Sequence, residues 1–189
     1  MDSRKKNLKE EIHMEASAKS LTGFNRQGTL AKGAIKSGII SGQIAGLIMA
    51  VVVMAVFAIF LGKSPLFPVQ VIGSTLVGEN ALNGFHLGAL LLGLILHQAG
   101  PSLLWGFVYG VIASKFPISE NPKAAILGLG VGLISMVGPY LLIPFVMNTL
   151  HGVDYWNQNV PMFWNWAAHI VFGASFALYP VINKKFSKN

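Results

Sequence analysis

The sequence predicts an all-α membrane protein, a bundle of four transmembrane helices with both chain ends in the cytoplasm. Three observations predict it: an apolar composition, four long apolar segments, and a one-sided distribution of basic residues. Of the 189 residues 53% are hydrophobic and 11% charged, against roughly 25% charged in an ordinary soluble domain. Too few polar side chains exist to cover a water-facing surface, so lipid must act as part of the solvent.

A spanning helix needs about 20 predominantly apolar residues, and four segments supply them: about 34–61, 85–114, 124–147 and 163–182. They are apolar all round, which separates them from amphipathic surface helices. They lack the two-residue alternation of membrane β-strands. Residues 1–32 stay polar and read as a basic cytoplasmic tail. No apolar stretch closely follows the basic start, as a cleavable signal requires, so the first span is expected to drive insertion. Residues 33–183 form the membrane domain and 184–189 a short basic end.

Orientation follows from the lysines and arginines, which gather on the cytoplasmic side. Arg4, Lys5, Lys6, Lys9, Lys19, Arg26, Lys32 and Lys36 precede or begin span one. Lys115 and Lys123 flank the second connection, and Lys184, Lys185 and Lys188 close the chain. Lys63 alone falls on the other side. The net charge of +7 is therefore topogenic, and no nucleic-acid surface is expected.

On the outer side, residues 62–84 are too apolar for a solvated loop and too short to cross twice. They predict a short helix in the outer interface, entered through Pro65 and Pro68. Tyr155, Trp156, Trp164 and Trp166 cluster where span four begins, as an aromatic belt does.

Small residues let helix backbones approach in lipid. Ala34, Gly38, Gly42, Gly46 and Ala50 place one on the same face of span one every four positions. Gly106 and Gly110 repeat the device in span two, and Gly128 and Gly132 in span three. Two readings are open for this ridge: packing inside the bundle, or docking against another protein. Pro101 in span two and Pro139 and Pro144 in span three predict kinks, since proline removes a backbone hydrogen bond.

The spans hold no Asp, Glu or Arg, and their lysines lie only at the ends. A carboxylate proton relay is thereby excluded, because pumps and ion-coupled carriers need ionisable groups at depth. The chain has no cysteine, so disulfides and thiolate chemistry are absent. It has no HExxH, no phosphate-binding glycine loop and no acid to complete a triad with Ser102. That serine is expected to hydrogen-bond between helices.

Three histidines lie within or at the spans: His86 at the outer start of span two, His97 near its middle, and His169 in the outer half of span four. His86 and His97 share a face about 16 Å apart along the axis. Asn165 shares the face of His169 one turn away. Neutral imidazole is an axial ligand for haem iron, so a b-type haem held by His169 with His97 or His86 is one reading. The other is an imidazole hydrogen-bonded to a neighbouring helix or a partner subunit, with no cofactor.

Four stretches, AIKSGIISGQIAGLIM, GKSPLFPVQVIGSTLVG, HQAGPSLLWGFVYGVIAS and HGVDYWNQNVPMFWNWAAHIVFG, cover most of residues 33–173. In that order they resemble a family of small bacterial four-helix inner-membrane proteins of poorly defined role. The resemblance implies a multi-pass inner-membrane location and recurrence of the histidines at His97 and His169, hence a shared polar or metal site. It also implies an aerobic respiratory setting, and members often carry transporter-like labels.

The expectation for function is a noncatalytic accessory subunit of a larger membrane complex, respiratory or otherwise electron-transferring. Its partners would be lipid and other integral membrane subunits. The alternatives are a b-type haem electron-transfer subunit, and a small carrier or channel along the kinked third helix.

Overall fold

A computed structural model describes residues 2–116 and 118–186, with side chains from Gly28 onward. Among these residues the elements are all helical. Four helices are long and apolar enough to cross a membrane: Gly28–Phe60, Leu87–Lys115, Asn121–His151 and Met162–Phe186. The four expected spans are all present. Span one belongs to a longer helix, α1 (Asp2–Phe60), and no proline occurs before Pro65 to interrupt it.

After α1 come α2 (Phe67–Val77), α3 (Leu87–His97) and α4 (Leu103–Lys115). The third span comprises α5 (Asn121–Ser135) and α6 (Ile143–His151). A short α7 (Tyr155–Asn159) then leads to α8 (Met162–Ser175) and α9 (Tyr179–Phe186). Pro122 starts α5 and Pro68 starts α2, where a missing N–H is harmless. The Asp154 carboxylate caps α7 by accepting from the Asn157 N–H at 3.1 Å.

Inside spans two and three the expected kinks take the form of wide π turns, at Gln98–Ser102 and Gly138–Leu142. Pro101 and Pro139 lack the N–H that an α-helical ladder needs. The turn widens so that the Leu103 N–H reaches the Gln98 carbonyl and the Ile143 N–H reaches the Gly138 carbonyl, each five residues back. Pro144 sits in the first turn of α6 and breaks nothing.

The glycine ridge packs internally. A Cβ on Gly42 would come within 2.5 Å of both the Gly106 Cα and the Ser102 carbonyl. Gly38 faces Gly110 in the same way, so α1 and α4 are antiparallel with backbones in contact. Gly46 lies against the Ser102 and Gln98 side chains. A second seam joins α5 to α8, where Gly128 meets the Gly173 carbonyl and Gly132 meets the His169 carbonyl. A third joins α2 to α3, with Gly73 on the Ala89 carbonyl and Gly93 on the Val69 carbonyl. A short helix does occur within 62–84 as α2, but it packs antiparallel along the first half of span two instead of lying flat in the outer interface as expected. Most of its residues are buried.

Two apolar cores result. Near the end where span one starts and span four finishes, Tyr109, Phe172, Phe176 and Tyr179 pack together with Ala45 and Val131. Tyr109 stacks on Phe176 at 4.2 Å between centroids, and its hydroxyl donates to the Ala124 carbonyl at 3.1 Å. Lys36 stands 4.4 Å above the Phe186 ring, which brings the start of span one to the end of span four. At the opposite end Phe57, Val71, Met147, Trp156 and Val160 form the second core. Lys63, the one basic residue there, lies over Phe67.

Candidate ligand site

Between the two cores lies a cavity of about 650 Å³, lined from all four spans and α2. Both π turns line it, through Ala99–Ser102 on one side and Val137–Pro139 with Leu142 on the other. By widening each helix locally, the prolines keep spans two and three from closing on each other. These spans meet near Tyr109 and Ala124. Farther along, Leu94, Leu104, Val137 and Leu142 both line the cavity and are exposed on the outside. The cavity therefore opens sideways, between spans two and three, onto the lipid-facing surface.

Its polar lining side chains, the tryptophan indoles aside, are Thr75, His97, Ser102, Ser135, Asn165 and His169, and among the described residues no Asp, Glu, Lys or Arg reaches it. His97 is the last residue of α3, directly before the first π turn. Its Nε2 lies 3.2 Å from the Gly46 carbonyl of α1, in the small-residue ridge where no side chain intervenes. His169 is buried in α8, and its Nδ1 lies 2.6 Å from the Ser135 hydroxyl. That hydroxyl is 2.6 Å from the Gly132 carbonyl one turn back in α5. The two imidazoles, from different spans, line one cavity.

His86 stands apart. It precedes α3, and its Nδ1 accepts the Ala89 N–H at 3.0 Å as a helix cap. It does not line the cavity. His151 closes α6 and reaches the Thr75 carbonyl of α2 at 3.1 Å. Among the described residues no cluster of three or more His, Cys, Asp or Glu side chains could hold a metal ion.

Two expectations are corrected by the packing. The Ser102 hydroxyl was expected to bond between helices, yet it is buried without a partner among the described residues. Gly46 packs directly on it, beside the Gln98 Oε1, which is also without a partner among the described residues. Trp156, expected in an aromatic belt, is buried in the second core and lines the cavity, with its indole N–H unpartnered. Trp166 remains at the surface against Tyr140.

Sequence reading missed Ser135 as a site residue, and Gln98 as the residue that ties the first π turn to α1. Gln43 donates to the Gln98 carbonyl at 2.9 Å, which also accepts the wide bond of the π turn. Ser135 gave a weak signal, as a lone hydroxyl in an apolar run one turn before Pro139.

The fold and this cavity define the class: a multi-pass α-helical membrane protein, in contact with lipid, with a ligand-sized interior space. No protein-family model, curated protein or solved structure matches the chain.

Proposed function

We propose that this protein is a noncatalytic accessory subunit of a larger membrane complex, and that it holds a lipid-phase ligand in its central cavity. One observation carries the reading: His97 and His169, from different spans, line a single uncharged cavity that opens sideways toward lipid. An apolar pocket with a few placed polar groups is the usual form of a small-molecule site. The absence of charged lining residues favours a neutral ligand, since an ion here would be desolvated without a counter-charge. An electron-transferring, respiratory setting in a bacterial inner membrane, with both termini cytoplasmic, accords with the family resemblance and with the basic residues at one end. Purification in mild detergent, followed by solvent extraction and mass spectrometry, tests the role. A stoichiometric neutral lipid and copurifying membrane subunits are expected. A homogeneous chain that extracts only bulk phospholipid would refute it.

A second reading is a b-type haem held by His97 and His169. The support is His169, whose Nδ1 is backed by Ser135, as an axial histidine's outer nitrogen is commonly held. Against it, no lysine or arginine among the described residues lines the cavity to meet the haem propionates. A Soret band in the purified protein, lost in both His97→Gln and His169→Gln, would establish this reading over the first.

A further inference from the structure

We infer that the cavity selects a hydrogen-bond donor: its ligand is a lipid-phase hydroxyl compound, a quinol or another lipid alcohol, received by the free nitrogens of His97 and His169. The inference rests on the ligand-holding role proposed above and names the ligand's chemistry.

A neutral imidazole carries one ring proton, and the partners of its two nitrogens decide which one holds it. A carbonyl can only accept. The Gly46 carbonyl at 3.2 Å from His97 Nε2 therefore places the proton on Nε2 and leaves Nδ1 a bare lone pair. At His169 the Ser135 hydroxyl spends its single proton on the Gly132 carbonyl at 2.6 Å. Its oxygen is then free to accept the His169 Nδ1–H at 2.6 Å. His169 Nε2 is consequently bare as well.

Both rings line the cavity, and neither remaining nitrogen has a hydrogen-bond partner among the described residues. The cavity thus offers two acceptors on rings anchored to helix backbone. A quinone, whose oxygens only accept, would set lone pair against lone pair. Carboxylates and phosphates fail on the same ground and find no cation. A hydroxyl satisfies the site in both directions. It donates to an imidazole, while its oxygen can accept from the amide of Asn165, which also lines the cavity. A quinol has two such groups and can engage both histidines.

The test uses the full chain in phosphatidylcholine nanodiscs and three probes: a decyl-tailed benzoquinol kept reduced, the same molecule kept oxidised, and a fifteen-carbon isoprenoid alcohol. Bound probe is quantified by mass spectrometry from re-isolated discs. One hydrogen bond's difference corresponds to about ten-fold in affinity, so the quinol should bind the wild-type protein at least that much more tightly than the quinone. His97→Phe and His169→Phe should each remove this preference. A higher affinity for the isoprenoid alcohol than for the quinol would support the inference and name the membrane alcohol as the ligand. Equal binding of quinol and quinone, abolished by the cavity-filling Ala50→Phe, would overturn donor selection and leave the ligand-holding role standing. No binding of any probe, together with an empty native extract, would overturn both. The wild-type comparison needs no variant to fold.

Discussion

The Ser135 hydroxyl stands 2.6 Å from His169 Nδ1, and the same hydroxyl stands 2.6 Å from the Gly132 carbonyl. This relay exists because Gly132 has no side chain. A Cβ there would come within 2.5 Å of the His169 carbonyl, so only glycine lets α5 and α8 approach until a serine on one reaches the imidazole on the other. Helix packing and site geometry are a single fact at this point.

Ser135→Ala removes the acceptor for the His169 N–H. The loss should be about 0.5–1.5 kcal/mol, the net value of one hydrogen bond, seen as a small fall in thermal midpoint with insertion unchanged. His97→Gln and His169→Gln should both insert stably, because an amide supplies both a donor and an acceptor. Loss of either variant from the membrane would contradict this.

Gly42→Leu should separate spans one and two. The new side chain meets the backbone of Gly106 and the Ser102 carbonyl, which cannot yield as a flexible side chain can. Overpacking of this kind costs about 1–3 kcal/mol or more. Gly130→Leu is the matched control, since a Cβ at Gly130 meets nothing within 4 Å. Detergent-unfolding curves should show a clear loss for the first and none for the second.

Tyr109 is completely buried and touches three elements through Phe176, Tyr179 and the Ala124 carbonyl. Tyr109→Phe keeps the ring contacts and gives up one hydrogen bond, about 0.5–1.5 kcal/mol. Tyr109→Ala should cost about 3–5 kcal/mol, as for other large aromatics removed from cores. Similar losses in the two variants would mean that the hydroxyl, not the ring, holds this end of the bundle.

Reporter fusions after residue 189 and within the 148–162 connection should label opposite sides of the membrane. The carboxyl-terminal fusion should report the cytoplasm, where the basic residues are drawn. Both fusions on one side would contradict four complete crossings.

The sequence alone determined the number of spans, their approximate limits and the small-residue ridges of spans one to three. Lipid imposes those through rules that act residue by residue: enough apolar length to cross, and glycine where backbones touch. His97, His169 and Asn165 were also legible, because a polar side chain in an apolar span stands out. What only the tertiary structure decided was which of these groups meet. The π turns at Gln98–Ser102 and Gly138–Leu142 shift the helical faces beyond them, so a wheel drawn with 3.6 residues per turn misplaces every later residue. That shift left Ser102 without a helix partner and turned two kinked helices into the walls of a cavity. His86 and His97 both precede the first π turn and part for a different reason: His86 stands outside α3 as its cap, while His97 ends the helix and lines the cavity. Helical periodicity had put those two on a common face; hydrogen bonding to neighbouring backbone settled their different roles.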